Sequence, residues 1–276
     1  MNILLIGNSY SYYWPDELWG LLNAAGYEDV TICNVYYSGC TFEKHWNWHV
    51  AGEGHYRLVT NDSEGRRQEE GIDLETAVAR KNWDIISLQQ GNSYIYRGGV
   101  ELHRASMEPH LPLIYNYLLE KFPNAKYYWH QSWAHGIGYG VSTLEKQQAV
   151  TQGFRVVSDE ICQQYPFTKV PCGDAWEMVR YHPVITEGGK QLTTRIRKEN
   201  PMYDDLTHDG DHGGGQYLNA CVWFEMLTRK SVIGNTFRPK YMFGDVEYPL
   251  GETKVALLQH AAHAAVIGVY GPDYTK

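Results

Sequence analysis

The chain has 276 residues, 43% of them hydrophobic and 20% charged, with a formal net charge of −8 and five cysteines. That length can bury a substantial core, the lysines and arginines form no basic stripe for nucleic acid, and no run approaches the roughly 20 apolar residues of a membrane span. An odd number of cysteines without a Cys-x-x-Cys pair argues against a disulfide framework and a zinc site, so reduced, mostly buried thiols are expected.

In chain order, the apolar run Ile3-Leu4-Leu5-Ile6 predicts a strand over residues 2–6, closed by Gly7-Asn8-Ser9. No basic and then apolar leader precedes it. The chain as given is therefore expected in the cytoplasm, or in the periplasm if a leader has been processed off. A helix follows, with Pro15 at its first position, Asp16 and Glu17 in its first turn and Gly26 as its stop. Further strands are expected over 30–36, 84–89, 126–130 and near Val170. A helix opens at Ser142, with Glu145 completing a capping box, and carries Val150, Phe154, Val157, Ile161 and Tyr165 on one stripe. A late helix places Tyr217, Ala220, Cys221, Phe224 and Leu227 on one face. Strands alternating with helices predict an α/β fold of βαβ units around a central parallel sheet. Two stretches, about 41–71 and 186–205, match no regular element and predict functional excursions from one domain spanning 1–276.

A serine just past a buried strand lies where open parallel sheets bind ligands, outside the carboxyl ends of their strands. Alone, Gly7-Asn8-Ser9 is as much a turn or an N-cap as a nucleophile, which needs a base beside it. Near the other end stands Asp209-Gly-Asp-His212. A carboxylate three residues before a histidine can accept its Nδ1–H and leave Nε2 free to take a proton from a serine. The same stretch also reads as a helix-capping turn, or, with His208 and Asp211, as a weaker metal cluster. His45 and His49 stand among Trp46 and Trp48 and suggest a binding rim. The abundance of tyrosine and tryptophan, 22 and 9 residues, suits a concave, partly wet surface.

Taken together, "ILLIGNSYS", "SLQQGNS", "HQSWAH" and "DGDHGGGQYLNACVWFEMLT" resemble blocks of the SGNH (GDSL-type) hydrolase superfamily, and most of all an uncharacterised bacterial branch of it. The resemblance spans nearly the whole chain and implies a three-layer, flavodoxin-like fold. It implies Ser9 as nucleophile, His212 as base and then acid, Asp209 as its orienting carboxylate, and no cofactor or metal. Gly39, in "YSGCT", and the Ser9 N–H would bind the oxyanion. The third block departs from the superfamily pattern: Ser93 stands where its asparagine is expected, so Gln90 or Asn92 would supply that donor. Gly213-Gly214-Gly215 also departs from it and is expected as a loop. Trp133 and His135 match a strand-end block and, with Trp46, Trp48 and Tyr56, are expected to line the substrate site. The implied activity is hydrolysis of an O-acyl ester, first of all an O-acetyl group on a carbohydrate. The alternatives are a lipid or short-chain acyl ester, and a carbohydrate-binding relative without turnover. Neither a nucleic acid nor a membrane is an expected partner, and the sequence does not define the oligomeric state.

Overall fold

The computed structural model describes residues 1–137, 141–186, 214–243 and 246–274. Its elements are β1 (Asn2–Gly7), α1 (Ser9–Tyr12), α2 (Pro15–Ala24), β2 (Thr31–Tyr36), α3 (Phe42–Ala51), β3 (Tyr56–Asp62), β4 (Gly65–Ile72), α4 (Leu74–Val78), β5 (Ile85–Leu88), α5 (Ser93–Ala105), α6 (His110–Lys121), β6 (Lys126–His130), α7 (Leu144–Gln164) and β7 (Thr168–Val170). There follow α8 (Cys172–Val179), α9 (Pro183–Thr186), α10 (Gly214–Thr228), β8 (Lys240–Phe243), β9 (Val246–Pro249) and α11 (Glu252–Tyr270). The chain divides into two compact units. One comprises Met1–Pro15, Glu28–His130 and Val156–Lys169; the other comprises Asp16–Tyr27, Gln131–Arg155 and Val170–Lys276.

The first unit is built on a sheet of order β4-β3-β2-β1-β5-β6-β7. Strand β1 is parallel to β2 on one side (Leu4 opposite Cys33) and to β5 on the other (Leu4 opposite Ile86). Ile3 to Ile6 are wholly buried, as a strand covered on both faces must be, which is why they form a continuous apolar run. Without β3 and β4, the order β2-β1-β5-β6-β7 is the flavodoxin-like 2-1-3-4-5. One face of the sheet, with Leu4, Ile6, Val35, Ile86, Leu88 and Trp129, packs on Phe42 of α3, Leu74 of α4, Leu111 and Ile114 of α6, and Val157 of α7.

Residues 41–71 are not irregular, contrary to the expectation. Thr41 caps α3, accepting from the Lys44 N–H at 3.3 Å, and Gly52 ends it at φ 66°. After it, β3 and β4 form an antiparallel hairpin on the edge of the sheet, which makes the sheet mixed. Strand β4, "GRRQEEGI", is exposed along its length except for its last residue, so no apolar alternation announces it; charges of this kind keep an edge strand from pairing further.

In the second unit, α10 is buried along Gly214–Met226 apart from Gln216, not on one stripe as its spacing predicts. Gly214 and Gly215 are its opening residues rather than part of a loop. The N-cap of α7 is Thr143, not Ser142: its hydroxyl accepts from the Lys146 N–H at 3.2 Å. Glu225, without exposed surface, accepts from the Val232 N–H at 2.6 Å and lies 3.1 Å from His263 Nδ1; burial raises its carboxyl pKa. Among the described residues, no helix is long and apolar enough to cross a membrane.

Candidate active site

The loop after β1 is shaped by contacts that leave little choice of residue. A Cβ on Gly7 would lie 2.7 Å from Gln89 Oε1 and 2.8 Å from Ser11 Oγ, so a larger residue would displace the side chains that hold this turn. Asn8 is buried and uses its whole polar inventory. Its Oδ1 accepts from the Tyr10 N–H at 3.1 Å, its Nδ2 donates to the Cys40 carbonyl at 3.0 Å, and its own N–H donates to Gln89 Oε1 at 3.2 Å. Its carbonyl accepts from both the N–H and the hydroxyl of Ser11 at 3.0 Å. Asn8 thereby caps α1 and ties the end of β1 to the loops after β2 and β5. Ser9, next in the chain, is the first residue of α1 and is half-buried. The order in which strands are added reverses at β1, with β2 to one side of it and β5 to the other, and open α/β sheets bind ligands at such a point.

The loops on either side meet closely. Gly39 lies in the exposed turn after β2 at φ 62°, the left-handed region that favours glycine. A Cβ on Gly91 would stand 2.8 Å from the Cys40 carbonyl oxygen. Gln90 is not available as an oxyanion donor in this arrangement. Its Nε2 donates to the Ser106 carbonyl at 3.1 Å and to the Ser106 hydroxyl at 3.0 Å, while its Oε1 accepts from the N–H groups of Phe42 and Gly91 at 3.0 Å each. Gln90 is therefore a buried brace between loops. Asn92 is half-buried and its Nδ2 donates to the Tyr10 hydroxyl, one residue from Ser9. Of the two amides, Asn92 has its nitrogen beside the serine's neighbour.

The aromatic residues divide differently from the expectation. Tyr56 is wholly buried, with its hydroxyl 2.8 Å from His45 Nδ1, so it offers no face to a ligand. Trp46 and Trp48 are half-buried against the core of the first unit. His45 has no exposed surface either, and burial pushes its pKa down to about 3, which keeps it neutral. Trp133, in the second unit, is a buried packing residue stacked on Trp176 with ring centroids 4.4 Å apart. His135, in the same unit, is half-buried, and its carbonyl accepts from Gln147 Nε2 at 2.6 Å.

Tyr12 and Tyr13 follow Ser9 in the chain, and Tyr36 and Tyr37 stand at the end of β2, Tyr37 against Trp48 with ring centroids 4.8 Å apart. Tyr12 stacks on Tyr36 at 4.0 Å and meets the edge of Tyr13 at 5.1 Å. The signal was present in the sequence as "SYSYY" and "VYYSG". Beneath α1, the Trp14 indole donates to the Tyr10 carbonyl at 2.7 Å and stacks on His130 at the end of β6, whose pKa burial lowers to about 3. Asp209 and His212, with His208 and Asp211, lie outside the described residues. Among the described residues, no group of three His, Cys, Asp or Glu side chains is arranged to hold a metal.

The family model described as "Domain of unknown function (DUF4886)" matches residues 2–247. A crystal structure of a DUF4886 family protein from Bacteroides uniformis is similar with a TM-score of 0.76 and 23% identity, over 97% of this chain and 95% of that one. It shows the same fold. A lipolytic protein of the G-D-S-L family from Veillonella parvula is similar with a TM-score of 0.45 and 14% identity, over 83% and 99% of the two chains. A catalytic mutant of an acetylxylan esterase from Geobacillus stearothermophilus is similar with a TM-score of 0.44 and 12% identity, over 83% and 92%. No curated protein matches the chain.

Proposed function

The chain belongs to the DUF4886 family, and for this member we propose ester hydrolysis through an acyl-serine intermediate on Ser9. The observation that carries this reading is the position of Ser9. It follows a wholly buried strand at the point where the strand order reverses, on a turn that Asn8, Gln89 and the Cys40 carbonyl hold by hydrogen bonds. A nucleophile requires this kind of fixed, accessible turn.

In this reading, Ser9 Oγ attacks the ester carbonyl carbon as its proton passes to His212 Nε2, with Asp209 orienting the imidazole. The N–H groups of Ser9 and Gly39 and the amide of Asn92 stabilise the resulting oxyanion. The alkoxide leaves with the proton from His212. Water then adds to the acyl-serine, gives one proton to His212, and the acid departs as Ser9 regains it. The substrate class proposed is an O-acetyl ester on a carbohydrate. The Tyr12–Tyr36 stack, with Tyr12 in the same helical turn as Ser9, supports it, as does the habit of the superfamily that the sequence blocks resemble.

The test is a fluorophosphonate probe, used together with a panel of acetylated sugars and p-nitrophenyl esters. Labelling and turnover are expected in the native chain and lost in Ser9→Ala; labelling that persists in that variant removes Ser9 as the reacting serine. The rate is expected to rise with pH through a histidine-like ionisation, because the base must be neutral, and a flat profile between about pH 5 and 8 contradicts the assignment.

A further inference from the structure

We infer that Tyr10 is a positioning residue for the reaction: its buried hydroxyl holds the Asn92 amide in place as the third donor to the oxyanion formed at Ser9. The inference rests on the esterase reading for the identity of the reaction, and adds to it the group that fixes this donor.

Asn92 stands at the N-cap of α5, a place where asparagine ordinarily turns its side-chain oxygen onto the opening N–H groups of its own helix. Asn8, Thr41 and Asp73 do this at α1, α3 and α4 in the same unit. They accept from the N–H of Tyr10 at 3.1 Å, of Lys44 at 3.3 Å and of Thr76 at 2.7 Å. Asn92 makes no such side-chain bond to α5. Its Nδ2 donates instead to the Tyr10 hydroxyl, 82 residues away in the chain and on the residue next to Ser9. The Asn92 side chain thus serves the turn that carries the nucleophile and not the start of its own helix.

Tyr10 is suited to that task. Its ring is buried, which confines it to one rotamer. Its backbone is held as well: the N–H donates to Asn8 Oδ1, and the carbonyl accepts from the Trp14 indole at 2.7 Å. Ser9 and the phenol oxygen therefore belong to adjacent residues of one fixed turn. Asn92, bonded to that oxygen, keeps its place relative to the nucleophile although it comes from the loop after β5. An amide nitrogen carries two hydrogens, and bonding one of them to Tyr10 sets the plane of the group and keeps its nitrogen, not its oxygen, toward the Ser9 turn. Donors stabilise an oxyanion most when they are already in place as the charge develops. An amide that can rotate loses part of this effect, and one that presents its oxygen repels the charge.

The experiment is a double-mutant cycle on kcat and KM for p-nitrophenyl acetate, with the native chain, Tyr10→Phe, Asn92→Ala and the double variant. Tyr10→Phe keeps the buried ring and removes only the hydroxyl, and calorimetry checks that each variant is folded at the assay temperature. Tyr10→Phe is expected to lower kcat about tenfold, less than the ~10²–10³-fold of removing a donor outright. KM is expected to stay within about twofold, because the donor meets a charge that exists only in the transition state. In the Asn92→Ala background the same substitution is expected to change kcat by less than about twofold, because the hydroxyl acts through the amide. A purely structural role for Tyr10 would instead lower kcat alike in both backgrounds. That additive result overturns the inference, as does native kcat in Tyr10→Phe or in Asn92→Ala, and each of these leaves the esterase reading in place. If the native chain neither hydrolyses an ester nor takes up the fluorophosphonate, the esterase reading fails and the inference fails with it.

Discussion

Two rims flank Ser9, and they are made in opposite ways. On one side, the loops after β1, β2 and β5 are joined by buried amides: Asn8 to Cys40 and Gln89, Gln90 to Phe42 and Ser106. On the other side, the β3–β4 hairpin offers half-buried Arg57 and exposed Arg66 to the Tyr12 hydroxyl. A buried amide that loses its partner costs about 1–3 kcal/mol, whereas an exposed ion pair contributes about 0–1 kcal/mol. The first rim is therefore rigid and can hold reacting groups in place. The second is held by weaker, solvent-open contacts and can change partners.

Substitutions on the two rims are expected to separate along this line. The largest effect belongs to Ser9→Ala, for which turnover in a p-nitrophenyl acetate assay is expected to fall by ~10⁴-fold or more with the melting temperature nearly unchanged. Next comes Asn92→Ala, expected to lower kcat by ~10²–10³-fold if its amide meets the oxyanion. An unaltered kcat in that variant would leave the third donor unassigned. Gln90→Ala is expected to act on the other axis. It takes the Gln90 partner from the Phe42 and Gly91 N–H groups and from the Ser106 carbonyl, so calorimetry is expected to register a loss of about 2–3 kcal/mol, several degrees in melting temperature. If Gln90→Ala instead cost kcat and no stability, the roles of the two amides would have to be exchanged.

The buried side also predicts a pH dependence. Burial lowers the pKa of His45 and His130 to about 3 and of His103 to about 4. The unfolded chain then binds more protons than the folded one at any pH below histidine's ordinary value near 6.5, so stability rises with pH there and is lost on acidification. Each of the three residues contributes up to ~1.4 kcal/mol per pH unit between that value and its folded pKa. Denaturant melts at pH 7 and pH 5 are expected to show the native chain much weaker at the lower pH, and a melting curve indifferent to that change would contradict the burial of these rings. The smallest effect is expected on the exposed rim: Glu70→Gln should move stability by less than ~0.5 kcal/mol, since its ion pair is open to solvent.

Much of this was legible in the order of residues. The apolar run Ile3–Ile6, the strands 126–130 and near 170, and Pro15 and Gly26 around α2 could be read directly, because burial and helix termini constrain single positions. The nucleophile candidate could be read for the same reason, as a strand that ends in glycine leaves the next residues at the sheet's ligand-binding edge. Other features depend on partners far away in the chain. Strand β4 carries no apolar pattern and exists only because β3 pairs with it. Tyr56 and Trp133 look like binding residues by type, yet their packing against His45 and Trp176 makes them core. Gln90 and Asn92 are equivalent as side chains, and only the position of Ser106, 16 residues beyond Gln90, turns one of them into a brace. What the sequence by itself determined, then, was where the chain turns and where it must be buried, since those follow from local geometry and hydrophobicity. Which polar group faces the reaction and which serves the fold was decided by the tertiary structure, because a hydrogen bond needs a partner whose place the local sequence does not specify.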